Sequence, residues 1–488
     1  MIRFAAAPGE VITVSSATPP PGPAVTLSTK LYYGFGSVAY GVKDNGFSYM
    51  LLLYYNQVLG LPASWVGAGL MLALIVDAFS DPLVGYLSDN LHSKWGRRHP
   101  FMYAAALPTT VAFYLLWNPP AGLSPEGLFA YFLAITITVR TCLTFYEIPS
   151  TSLVAELSDD YDVRTSMLSF RYFFGWWGGL SMAVLIYFFL LPQDLGGIRY
   201  APGYQTYGTV GSVLIFVSIL TTSLGTHRHI PNLKPPPAKR PFAMGRTLDE
   251  LKETLANRSF LVLFVSALFT AMAAGVSTSL NIYFNSFFWE LTTDQMGVLN
   301  LPYFLSAGVA LFFAPKLSMR IGKKYAALII AGTAFLAAPL PIGLRLLGLF
   351  PANGTDELFY ALFAFGAVEV TLIITASILI SAMVADVVEE SELATGRRSE
   401  GVFFAARSFA QKSVHGIGTF TATLLLTWID FPSDAKPGEV APGVLQDLGL
   451  VYVPVVMILY VAAFGFLTGY RISRESHEGH LERLGSGP

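Results

Sequence analysis

The chain has 488 residues, of which 53% are hydrophobic and only 13% charged, with a mean hydropathy of +0.54. Soluble domains carry roughly 25% charged residues, so this composition excludes disordered, fibrous and disulfide-rich secreted chains and leaves room for a polytopic membrane protein. Lys+Arg (30) and Asp+Glu (32) nearly cancel at net charge −2, so no basic field recommends nucleic acid as a partner.

Residues 1–29 lack the basic start and continuous apolar core of a signal peptide and read as a retained, loose tail. Apolar runs then give about twelve spans. Six lie near 31 to 57, 63 to 91, 100 to 118, 127 to 153, 166 to 192 and 206 to 225, in an N-terminal half over 30–225. A hydrophilic linker covers 226–258. Six more lie near 259 to 288, 296 to 318, 325 to 347, 357 to 385, 401 to 429 and 447 to 470, in a C-terminal half over 259–472, before a tail at 473–488. The linker carries Arg228, Lys234, Lys239, Arg240, Arg246, Lys252 and Arg258, and alternate loops carry Lys94, Arg320, Lys323, Lys324, Arg397, Arg398, Arg471 and Arg474. Positive residues prefer cytoplasmic loops, so both termini are expected in the cytoplasm. Asp81-Pro82-Leu83 with Gly96-Arg97-Arg98 has a degraded echo in Ala314-Pro315-Lys316-Leu317 with Gly322-Lys323-Lys324. The expected fold is therefore all-α, of the major facilitator type, with two six-helix halves and a site near the midplane between them.

An ionisable residue inside a span costs roughly 2.5–3.5 kcal/mol and marks a candidate site. Asp77 and Asp81 lie one turn apart in the second span and share a face. Two readings stay open for them: an internal salt bridge to a neighbouring helix, or a coupling-ion site built from hard oxygen ligands. On the fourth span Arg140, Thr144, Glu147 and Thr151 form one stripe; Arg140 and Glu147 are two turns apart, so each is expected to find its partner elsewhere. Asp44, Arg171, Arg407 and Lys412 complete the set, while Lys43, beside Asp44, faces another way. Asp89 with Arg97 and Arg98 is expected to brace a gate, and Asp386, Glu389 and Glu390 could pair with Arg397 or Arg398 in a similar role. His415 reads as a satisfied buried imidazole, Cys142 as packing, and Trp176 and Trp177 as packing or interfacial belts. No nucleophile motif, P-loop or metal cluster stands in a credible context, so neither an enzyme nor an ATP-driven pump is expected.

Asp77-Ala78-Phe79-Ser80-Asp81-Pro82-Leu83-Val84-Gly85, continuing to Trp95-Gly96-Arg97-Arg98, resembles the signature of the glycoside-pentoside-hexuronide to cation symporters of the major facilitator superfamily. Lys30 to Gly36, Glu147-Ile148-Pro149 and Val384 to Val388 support the resemblance, which runs from about Lys30 to Tyr470. It implies that Asp77 and Asp81 bind a coupling Na+, Li+ or proton, joined by Thr144 and Glu147. It also implies that Arg171 contacts sugar hydroxyls and that Lys412 lies near both sites. The chain departs from the family in four places. Ser80 stands where the melibiose carriers have an Asn, which makes proton coupling more plausible relative to Na+. Gly41 stands where the family has its sugar-binding aspartate, with Asp44 one turn on. Thr151 replaces a stacking tryptophan and Arg407 a glutamine. Arg140 and Arg407 favour an anion through paired hydrogen bonds.

These readings together give a monomeric, multi-pass protein of the bacterial inner membrane, without cofactor. Its partners are the lipid bilayer, a coupling cation (H+, or Na+ held at Asp77 and Asp81) and a small-molecule solute. The expected activity is symport of a glycoside or acidic sugar such as a uronide. The alternative cargo is a lysophospholipid, its phosphate held by Arg407 or Lys412.

Overall fold

A long apolar run in hydrocarbon satisfies its backbone only as a helix, and the computed structural model, which describes residues 25–158, 161–233, 257–395 and 400–470, holds helices and no strand among them. Nine of the described helices are long and apolar enough to cross a membrane. The second, third, fourth and sixth spans are Ala63–Asn90, His99–Trp117, Pro125–Ser152 and Ala201–His227, and the fifth runs from Tyr161–Leu185 into a π-helical turn, Ile186–Leu190. The seventh is Arg258–Tyr283 with a π turn at Phe284–Phe288, the eleventh Glu400–Trp428 and the twelfth Pro442–Thr468.

Four spans differ from the sequence expectation. The first is a broken series, Leu27–Phe35, Val38–Asn45, a π turn Gly46–Met50, Leu51–Leu53 and a second π turn Tyr54–Val58. The eighth is Pro302–Ile321, with 296 to 298 belonging to a separate short helix, Thr293–Val298. The ninth divides into Lys323–Ala337 and Leu340–Leu346, since Pro339 cannot continue the hydrogen-bond ladder. The tenth, Asp356–Thr395, extends ten residues beyond the expected end.

The halves repeat one another at an offset of 230 residues. Leu59 N bonds Tyr54 O at 3.0 Å and Leu61 N bonds Tyr55 O at 2.9 Å; Trp289 N bonds Phe284 O at 2.8 Å and Leu291 N bonds Asn285 O at 2.9 Å. Gly60 has φ +78° in the first joint, and Glu290, at the matching position of the second, has φ +53°.

The eleventh span packs between the seventh and, across the halves, the second. The seventh and eleventh touch backbone to backbone: a Cβ on Gly275 would lie 2.3 Å from His415 O, and one on Gly418 2.2 Å from Met272 O. At the end far from the termini the halves are tied together. Tyr283 Oη donates to Asn56 Oδ1 at 2.7 Å, Gln57 Nε2 to Pro432 O at 3.0 Å, and Arg199 Nη1 to Asp434 O at 2.5 Å. One apolar core joins both halves there, whereas a second core, including Phe260, Ala314, Met383 and Tyr470, belongs to the C-terminal half alone.

Candidate functional site

The second helix presents Asp77, 5% exposed, and one turn later Asp81. Both carboxylates meet cations. Arg140 Nη1 of the fourth span lies 3.1 Å from Asp77 Oδ2, and its guanidinium stands 4.9 Å from the ring centroid of Phe47. Lys412 Nζ of the eleventh span lies 2.5 Å from Asp81 Oδ2 and 3.3 Å from Asp77 Oδ2. Thr144 Oγ1 lies 3.0 Å from Asp77 Oδ1 and 3.1 Å from Asp81 Oδ1, with one hydroxyl proton to share between them. Two acids thus face two bases. The internal salt bridge is present, and the eleventh span completes it from the other half.

The remaining stripe of the fourth span divides. The Glu147 carboxylate receives no hydrogen bond or ion pair among the described residues, its backbone carbonyl accepts from Ser150 and Thr151, and Lys43 and Lys412 are the cations in its electrostatic surroundings. Thr151 accepts from Arg171 Nη2 at 2.8 Å. Arg171, 7% exposed, also donates to Tyr40 Oη and, at 3.4 Å, to Ser150 Oγ, and lies over the rings of Tyr33 and Tyr40 at 5.2 and 5.0 Å. Among the described residues all its hydrogen-bond partners are neutral. A buried guanidinium without a carboxylate is a ready grip for sugar hydroxyls or for an anion.

Other expected members lie elsewhere. Ser80 Oγ donates to Asp77 O at 3.1 Å, its own helix backbone, and does not turn to the carboxylates. Arg140 gives Nη1 to Asp77, while its buried Nε has no partner among the described residues. Lys43 does not face away from Asp44: its Nζ is 2.5 Å from Asp44 Oδ1, the lysine buried and the carboxylate largely exposed. At Gly41 no side chain fits, because a Cβ would lie 2.0 Å from Gly175 O; an acid for a sugar can therefore come from Asp44 but not from 41. Trp176 and Trp177 are exposed on the fifth span instead of packing inward. The side chains of Arg407, Asp386, Glu389 and Glu390, and residues Arg397 and Arg398, lie outside the described residues.

At the termini end, Arg98 pairs with Asp89 and Arg97 is beside it, but the centre of the cluster is a residue that the sequence reading missed. Glu156 Oε1 accepts from Arg97 Nη2 and Arg98 Nε, each at 2.8 Å. Arg98 Nη1 also donates to Ser88 Oγ at 2.6 Å. Glu156 sits just past the fourth span, where an acid reads as a loop marker. Tyr40 and Ser150 around Arg171, and the Asn56–Tyr283 tie, were equally unmarked: each is one polar residue among many.

The described helices form two packed halves with charges paired across the boundary, the architecture of a membrane transporter. The chain belongs to the family described as MFS/sugar transport protein, which matches residues 32–474. It is 27% identical to an uncharacterized symporter, sll1374, of a Synechocystis strain, over 94% of this chain and 96% of the relative. It is 23% identical to the putative glycoside/cation symporter YagG of Escherichia coli, over 92% and 93% of the two chains. In structure it is similar to a D-xylose-proton symporter, with a TM-score of 0.62, 15% identity, and 90% and 96% of the two chains covered. The protein is a multi-pass transporter of the major facilitator fold.

Proposed function

We propose that this transporter carries out cation-coupled symport of a sugar-type solute across the bacterial inner membrane. The observation that carries the reading is the Lys412 ammonium lodged between Asp77 and Asp81. A coupling H+ or Na+ takes the same carboxylate oxygens, with Thr144 Oγ1 as a further hard ligand for Na+. Binding therefore displaces Lys412, which frees the eleventh span from the second and allows one half to rock against the other. The likeness to a putative glycoside/cation symporter supports the coupling and the class of cargo.

Arg171 with Thr151, Tyr40 and Ser150 is the solute grip, set on the first, fourth and fifth spans. Its lack of an acidic partner suits the hydroxyls of a glycoside and, with two parallel hydrogen bonds, the carboxylate of a uronide. The distribution of Lys and Arg favours the cytoplasm for both termini, which makes the tied far end the outer one. A single chain holds the whole site and acts as a monomer.

The test is uptake in proteoliposomes carrying Asp77→Asn or Asp81→Asn, with the wild type alongside. Loss of Na+ and pH dependence is expected, and unchanged dependence in either variant overturns the assignment. A thermal-shift panel of neutral glycosides, uronides and lysolipids then identifies the cargo; stabilisation by lysolipids alone replaces the sugar reading.

A further inference from the structure

A further carboxyl lies within the membrane, away from the Asp77–Asp81 cluster. Glu369 is on the tenth span, which starts at Asp356; at 1.5 Å per residue it is about 20 Å along the axis, well inside a hydrocarbon layer of roughly 30 Å. Its neighbours in sequence, Ala367, Val368 and Val370, are apolar. Among the described residues no hydrogen bond or ion pair reaches its carboxyl.

The titratable groups in its electrostatic surroundings are phenols: Tyr303 of the eighth span and Tyr452 and Tyr460 of the twelfth. Tyr452 is fixed by Ser277 Oγ at 3.0 Å and Tyr460 by a stacked Phe335, ring centroids 4.4 Å apart. Cations on the packed helices are remote or engaged. On the eighth and ninth spans Lys316, Arg320, Lys323 and Lys324 stand at the termini end, and Arg345 donates to Pro351 O at 2.6 Å and to Asn353 Oδ1 at 3.0 Å. On the seventh, Arg258 opens the helix at the termini end. On the eleventh, Lys412 holds the acids of the other half and His415 faces Arg140 and Asp44. Arg407 is about 30 Å from the far end of its helix, which closes at Trp428, against about 20 Å for Glu369.

A carboxylate at this depth is penalised as a charge held in hydrocarbon, and taking up a proton removes that charge. Tyr303 shares its electrostatic surroundings with Tyr49 and Tyr187 of the first half, and Tyr49 shares its own with Asp44. Phenols of both halves thus stand between Glu369 and the exposed Asp44, with no hydrogen bond joining them among the described residues.

We propose that Glu369 is a proton-binding site of the transport cycle, separate from Asp77 and Asp81, loaded while its surroundings are closed and emptied when the halves part. The proton is taken from water on one side onto a carboxylate oxygen and returned to water on the other, with no other bond changed. Its role in transport rests on the symport reading above; its protonation does not. Difference infrared spectra of purified protein across a pH titration should show a carboxylic C=O band that Glu369→Gln removes and Glu369→Asp shifts; an unchanged band in both overturns the site. In proteoliposomes, uptake driven by a pH gradient should fall in Glu369→Gln by about fivefold to a hundredfold, the usual span of coupling, while solute exchange at equal pH persists and Glu369→Asp retains gradient-driven uptake. Full gradient-driven uptake by a folded Glu369→Gln overturns the transport role. Absence of sugar uptake by the wild type overturns the symport reading instead and leaves the infrared result standing.

Discussion

Lys412 reaches Asp81 at 2.5 Å across the boundary between the two halves. The lysine belongs to the eleventh span and the acid to the second, so the contact depends on how the halves are set. Removing it separates the electrostatics of the site from its packing.

Lys412→Met should leave Asp77 paired with Arg140 and Asp81 without an ion pair among the described residues, at a cost of about 2 kcal/mol for unsatisfied, partly buried carboxylates. The unfolding midpoint should drop in Na+-free buffer at neutral pH and recover with Na+ or acid, while coupled uptake is lost. A midpoint that ignores both ions refutes the competition between lysine and cation.

Tyr283→Phe deletes the hydroxyl that donates to Asn56 Oδ1 and leaves the ring contacts with Phe287 and Phe431 in place. A loss of about 1 kcal/mol should shift the conformational balance roughly fivefold toward states open at the far end. Distances between spin labels on the two halves at that end report the shift, and identical distributions count against a tie at this point.

Glu156→Gln removes the one carboxylate shared by Arg97 and Arg98, of which Arg98 is 5% exposed. Breaking a buried ion pair costs about 3–5 kcal/mol, so a large fall in thermal stability is expected even though Asp89 stays beside Arg98. A double-mutant cycle with Arg97→Gln should show coupling between the two; strict additivity contradicts the shared-acceptor geometry.

Glu290 occupies the left-handed region at the joint where the first half uses Gly60. Glu290→Gly should raise stability by about 1 kcal/mol, and Gly60→Ala should lower it by a similar amount, both read from thermal unfolding. The opposite sign at either position contradicts the matched joints.

His229, past the end of the sixth span, has its pKa lowered by burial and then by Arg228. Its Nε2 lies 3.1 Å from Thr29 Oγ1, tying the start of the first span to the end of the sixth. Because the unfolded chain takes up a proton near pH 6.5 and the folded one only below that, this tie should weaken as pH falls through the interval and be complete above it. Hydrogen exchange of the Thr29 and Lys30 amides should quicken at pH 5 in the wild type; an equal pH response in His229→Gln excludes the imidazole as its source.

Much of the site was readable because charge in a span is rare. The helical spacing of Asp77, Asp81, Arg140 and Thr144 puts them on facing stripes, and the structure brings all four together. That Lys412 meets them could not follow from spacing, since 331 residues separate it from Asp81; resemblance supplied it. Glu369 passed unnoticed although the rule that picked out Asp77 applies to it equally. Glu156 and Tyr283 escaped for a different reason: an acid just past a helix and one of 24 tyrosines carry no local signal. The breaks in the first span were hidden as well, because π turns and α-helix share the same apolar composition.

The split of the charge cluster between the halves also bears on the pace of the cycle. If an empty carrier moved, Lys412 would be drawn from both carboxylates, leaving two anions to one arginine in a low-dielectric interior. On the symport reading proposed above, the vacant carrier is held by its own side chain, so its return without ion or solute becomes the slow step of turnover.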